Sequence, residues 1–251
     1  MLINTNIMKH LHVNTKVIQI GLLYFFLIAG GLWHILDVFQ TLMRILAAPI
    51  MIGLAVWIFI EFLRDQSHEP EVMVPQHELN PFPKCGFLNR KATLVFWSLL
   101  VIVGGYWIEW LGIHTRCIFG SYSYGEGLQP NVFGVPIAIG FAWLCMLLSS
   151  VAVIQRLYPN YGRLNIYLFG MMISLFMVIF DGVMEPAATR LGYWNWHSDV
   201  IPLQNFVAWF SISFIFALFG LKLGLFYQKL PGVAFHAFFA QLIYFGMVIF
   251  K

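Results

Sequence analysis

Seven apolar runs of about twenty residues each limit what this chain can fold into. They lie near 17–36, 44–63, 92–111, 134–154, 165–185, 204–226 and 231–250, and about twenty apolar residues in a helix cross the hydrocarbon core of a bilayer. Lipid offers no partner to backbone N–H and C=O groups, so each run is predicted to be a helix that satisfies its own. Of the 251 residues 60% are hydrophobic and only 10% charged, with a mean hydropathy of +0.79; a soluble domain carries about 25% charged residues. The expected fold is all-α, a polytopic transmembrane helical bundle of about seven spans forming a single integral membrane domain over residues 1–251. A secreted enzyme, a soluble dinucleotide-binding enzyme and a disordered chain are excluded.

The stretch 64–90 is the one long polar connection. It holds Pro70, Pro75, Pro81 and Pro83 among Glu69, Glu71 and Glu78, and reads as a linker or surface segment. The connection from Gly112 to Gly134 mixes glycines with aromatics and few charges, as a loop folded back onto the bundle would. No repeat of the two-halves kind found in many transporters is visible. Lys9, Lys16, Arg64, Lys84, Arg90, Lys91, Arg156, Arg163, Lys222 and Lys229 would fall on one side of the membrane. Only Arg44, Arg116, Arg190 and Lys251 would fall on the other. The positive-inside rule then puts the N-terminus in the cytoplasm and the C-terminus outside. Met1 to Lys16 is expected to be the flank of a retained first helix rather than a signal peptide. A net charge of +3 is too small to suggest a nucleic-acid partner. Cys85, Cys117 and Cys145, odd in number and without CxxC spacing, read as free thiols or core fillers.

Ionisable groups inside spans cost roughly 2.5–3.5 kcal/mol at the bilayer centre, so each needs a reason. Asp37, Glu109, Asp181 and Glu185 lie in or at the ends of spans on the side poor in Lys and Arg, with His34, Gln204 and Asn205. Convergence of polar groups at one depth suggests a pocket opening toward one leaflet. Within Asp181-Gly-Val-Met-Glu185-Pro186 the acids are four apart, on one helical face about 5–6 Å from each other. Two carboxylates side by side in a low-dielectric site do not both ionise readily, so one is expected to hold its proton near neutral pH. Pro186 pulls the other way, because it disfavours helical geometry at Glu185. The alternative is structural: the acids bond loop amides or pair with Arg190 and Arg116. Glu109 either has a functional role or simply reaches interfacial water, and Asp37 reads as a helix-end residue. Tyr193, Trp194 and Trp196, with Phe206 and Trp209, follow the acid pair. They form either an interfacial aromatic girdle or a wall able to hold a long apolar molecule and steady a cation.

The eight histidines form no HxxxH, HxxHH or HExxH motif, and no GxGxxG or GxxxxGK[ST] is present. No cysteine motif for haem or an iron–sulfur cluster appears. No metal and no cofactor is therefore expected. Acid–base chemistry on a lipophilic molecule, or transport, remains.

The blocks FGSYSYGEGLQPNVFGVPIAIGFAW (119–143), DGVMEPAATRLGYWNW (181–196) and IPLQNFVAWF (201–210) resemble the membrane-integral carotenoid biosynthesis family. That family contains the CruF-type carotenoid 1,2-hydratases and the bisanhydrobacterioruberin hydratases. The matching positions are an acid ahead of the glycine-rich loop, Glu109; Gly134, Val135, Pro136 and then Trp143; and Asp181, Glu185 and Pro186. They continue with Gly192, Tyr193, Trp194 and Trp196, and with Pro202, Leu203, Asn205, Phe206 and Trp209. The resemblance covers roughly residues 100–215. Glu185 stands where the family pattern has aspartate, and Ala208 where glycine is common.

The resemblance implies cofactor-independent addition of water to the terminal C=C of an acyclic carotenoid end group, giving a tertiary alcohol. The partners would be a lipophilic carotenoid, water and the lipid bilayer, in the cell membrane of a bacterium or archaeon; the oligomeric state stays open. Asp181, Glu185 and Glu109 are the expected catalytic residues. The acid pair would protonate the alkene, and Glu109 or the second carboxylate would deprotonate water. Tyr193, Trp194, Trp196, Gln204, Asn205, Trp209, Trp143 and Arg116 are the expected substrate-binding set, with Gln204 and Asn205 holding water and the tryptophans shielding the cation. Two alternatives stand beside this reading. A carotenoid cyclase would share the first protonation, and a transporter or lipid-binding protein would use the acids to bind a cation or proton.

Overall fold

The computed structural model describes residues 2–65, 89–198 and 200–251, with side chains described from Thr15 onward. Apart from its ends, the predicted linker 64–90 lies outside the described residues. Among the described residues there are seven α-helices: α1 (Leu2–Ile35), α2 (Gln40–Asp65), α3 (Arg90–Thr115), α4 (Ala138–Leu157), α5 (Ile166–Arg190), α6 (Leu203–Lys222) and α7 (Gly232–Ile249). Each contains a stretch long and apolar enough to cross a membrane. The polytopic helical bundle expected from the sequence is the observed fold.

α4 is the central post. Its apolar window is 89% buried, against 11% for that of α1, and it packs on α2, α3, α5 and α7. α5 lies against α6 and α7, while α1 rests chiefly on α7. Phe25, Phe26, Ile45, Leu99 and Ile215 face outward, as expected where the solvent is hydrocarbon.

Helix ends follow local chemistry. Asn89 caps α3 by accepting from the Ala92 N–H (2.8 Å), and Asn165 caps α5 by accepting from that of Tyr167 (2.9 Å). α3 runs four residues beyond the predicted 111 and stops where Arg116 turns left-handed (φ 60°). α4 begins at 138 rather than 134, because Val135 and Pro136 are taken by a small hairpin, β2 (Asn131–Val132) with β3 (Val135–Pro136). α5 continues through Pro186 to Arg190 instead of ending at 185. The proline costs the helix the bond to the Gly182 carbonyl, which its ring also crowds, and the helix continues for one more turn to Arg190.

The loop after α3 folds back onto the bundle, as its composition suggested, and joins the loop after α5. β1 (Tyr122–Tyr124) pairs antiparallel with β4 (Trp194–Trp196), Tyr122 opposite Trp196 and Tyr124 opposite Trp194. Three further bonds lengthen the seam: Gly125 N–H to Tyr193 O (2.9 Å), Gly127 N–H to Gly192 O (3.1 Å) and His197 N–H to Ser121 O (3.0 Å). Gly125 is required by this seam, since a Cβ there would lie 2.3 Å from the Gly192 carbonyl oxygen. The ribbon closes the end of the bundle where α3 and α5 finish and α6 starts.

Candidate active site

Glu109 lies near the end of α3, buried, with both oxygens occupied. Tyr122 and Tyr124 donate their hydroxyls to its Oε2 at 2.6 and 2.9 Å, and the Trp143 indole N–H donates to Oε1 at 3.1 Å. Small residues clear the space for this. A Cβ on Gly105, one turn before Glu109, would come within 2.9 Å of the Trp143 ring; one on Gly112 would meet Phe119 at 2.6 Å. Glu109 thus sits between two gaps in the surface of α3, each filled by an aromatic side chain from elsewhere.

Glu185, one turn from the end of α5, is held by a second set. The indole N–H groups of Trp194 and Trp196 donate to its Oε2 at 2.9 and 2.8 Å. Its Oε1 has a longer contact, 3.3 Å, from Asn205 Nδ2, and that same amide donates to Asp181 Oδ2 at 2.8 Å. The four-residue spacing therefore does bring Asp181 and Glu185 to one face, with Asn205 at the start of α6 bridging them. Asp181 is fully buried and its Oδ1 has no hydrogen-bond partner.

Glu109 and Glu185 line one narrow cavity, together with Tyr122, Tyr124, Tyr193, Trp194, Trp196 and Asn205. Trp143 and Trp209 line it as a stacked pair, centroids 4.3 Å apart and planes 18° from parallel. Met51 of α2, Ile139 and Ala142 of α4, Met184 of α5 and Phe245 of α7 form the apolar wall. Its free space of about 40 Å³ admits a few water molecules, at roughly 10–15 Å³ each. Burial, and then the neighbouring Glu109 charge, raise the Tyr122 and Tyr124 hydroxyls above the ordinary phenol range. Burial, followed by the adjoining Tyr244, does the same to Tyr193.

Of the residues singled out from sequence, the cavity brings together Glu109, Glu185, Tyr193, Trp194, Trp196, Asn205, Trp209 and Trp143. Asp181 stands one layer back, touching the cavity wall through Asn205 rather than lining it. Gln204 and Arg116 are exposed and do not line the cavity; Gln204 donates to the Cys117 carbonyl. Asp37 pairs with Lys251, and Arg190 donates to the Val248 and Ile249 carbonyls at the end of α7. Sequence reasoning passed over Tyr122 and Tyr124, the two phenols on Glu109. The signal was present: Tyr-Ser-Tyr and Trp-Asn-Trp alternate aromatic with polar at period two, the mark of a strand with one buried face.

These residues fall within a region shared with known proteins. Residues 79–250, more than half of the chain, match the family described as carotenoid biosynthesis protein. A bisanhydrobacterioruberin hydratase of Haloarcula japonica is 25% identical over 127 residues, covering 49% of this chain and 42% of the relative. No solved structure matches the chain. With the family match extending over all three acids and both strands of the ribbon, this chain belongs to the carotenoid biosynthesis protein family.

Proposed function

We propose that this protein hydrates the terminal C=C of an acyclic carotenoid end group, adding water to give a tertiary alcohol. The observation that carries this reading is the placement of two buried carboxyl groups, Glu109 on α3 and Glu185 on α5, in one aromatic-walled cavity with room for water. An unactivated alkene needs a positioned acid on one carbon and a water molecule with a base at the next. The Haloarcula relative, a hydratase by name, supports the same reaction class.

Glu185 is the proton donor in this scheme. Its Oε2 is pinned by two indoles that can only donate, which leaves the more loosely held Oε1 to carry the proton. Transfer of that proton to the terminal alkene carbon leaves a tertiary cation beside the Trp143–Trp209 stack, whose π faces attract positive charge. Water adds to the cation and loses a proton to Glu109, and solvent returns that proton to Glu185 between turnovers. The sum is substrate plus one water, with no change of oxidation state. Asp181 tunes Glu185 through the shared Asn205 amide. Met51 and Met184 line the apolar wall, and unbranched thioether side chains adapt readily to an incoming end group.

Expression in a host that accumulates lycopene or γ-carotene, with chromatography and mass detection of the pigments, tests the reading. A product heavier by one water is expected, and it should be lost in Glu109→Gln and in Glu185→Gln. A product of unchanged mass would identify a cyclase. Normal yield from both variants would remove the proposed roles.

A further inference from the structure

The ribbon divides its aromatic side chains between the two acids in a regular way. In each cross-strand pair, Tyr122 with Trp196 and Tyr124 with Trp194, the tyrosine donates to Glu109 and the tryptophan to Glu185. Alternation along each strand puts all four on one face, while Ser123 and Asn195 between them are exposed. Cβ atoms directly opposite in such a pair are about 4.5–5.5 Å apart. The rings are also in contact, Tyr122 tilted 43° against Trp196 at 5.2 Å and Tyr124 edge-on to Trp194 at 6.1 Å between centroids.

Resting on the hydratase reading, we propose that the β1–β4 ribbon is a spacer that fixes the two carboxyl groups relative to each other, with Tyr122 and Tyr124 as positioning residues for the reaction. α3 and α5 both pack on α4 and hardly on each other, so the helices give their acids little direct common support. The strand register supplies it: a slip of either strand by one residue would turn that strand's two donors away from the cavity. Both tyrosines share one oxygen of Glu109, so the carboxyl plane is set by the ribbon, and the Trp143 bond to the other oxygen holds it there. Buried phenols that stay protonated remain donors over the whole working pH range. The water attacking the cation is thereby met by a base of fixed position rather than by a free-swinging side chain.

Purified full-length protein in detergent with an acyclic carotenoid, compared with Tyr122→Phe, Tyr124→Phe and Tyr106→Phe, tests this. Tyr106 is the control, since its hydroxyl bonds the Val132 carbonyl and neither acid. The first two variants keep their rings and are expected to lose about ten- to a hundredfold in kcat, the scale of a misplaced reacting group, with KM unchanged. The infrared carboxyl band that disappears in Glu109→Gln should shift in both, and Tyr106→Phe should leave kcat and the band as they are. Unchanged kcat in an active background, or a Glu109 band that stays in place, overturns the proposal. If the wild-type chain hydrates nothing, the hydratase reading falls. A band shift in the tyrosine variants would then still uphold the ribbon's hold on Glu109, and its absence would refute it.

Discussion

Asn205 sets one amide nitrogen between two buried carboxyl groups, and no other described side chain donates to Asp181. Asn205→Ala would leave Asp181 Oδ2 bare and Glu185 Oε1 without its only donor. A buried acceptor left unsatisfied costs about 1–3 kcal/mol, so the variant should unfold at lower temperature in detergent and convert less substrate. Thermal unfolding and pigment yield check both parts. The tyrosines bear on pH. Their hydroxyls are raised in the folded protein, while in the unfolded chain they ionise near 10. Their contribution to stability is complete below that value and is lost as pH climbs above it. Melting temperature should therefore fall above about pH 10, and less steeply in Tyr124→Phe.

At the scale of elements, the sequence showed the spans well, because a twenty-residue apolar run has few alternatives. Boundaries were less legible where a loop competes for the same residues: Val135 and Pro136 read as span and are hairpin, and Pro186 read as a stop and is passed through. The acids were legible as buried charges needing a reason. Tyr122 and Tyr124 were not, because their role depends on pairing with residues some seventy positions later. Gln204 and Arg116 lie outside the cavity lining, Gln204 turned outward by helix phase beside Asn205 and Arg116 by the left-handed end of α3. Gly125→Ala tests the ribbon as an element. The added methyl would force the seam at Gly192 apart at a cost of about 1–3 kcal/mol, seen as a lower unfolding temperature and reduced hydration activity.

For the whole molecule, every lining residue of the cavity contributed by a connection comes from the end of the bundle at which α3 and α5 terminate. On the ten-to-four partition of Lys and Arg, that end is expected to lie outside the cytoplasm. Cys117, exposed there, makes the assignment testable: an impermeant maleimide should label intact cells, and Cys117→Ser should abolish that labelling. Reaction only after lysis would invert the orientation.

The ribbon joins a strand made before α4 to one made after α5, and the bridging asparagine follows later still. During translation the two tyrosines of Glu109 therefore wait while α4 and α5 are synthesised before their partner strand exists. A nascent chain halted short of Asn205 would leave Asp181 without its amide donor. Assembly of the cavity is thus a late event in synthesis, complete only after the chain has passed α5.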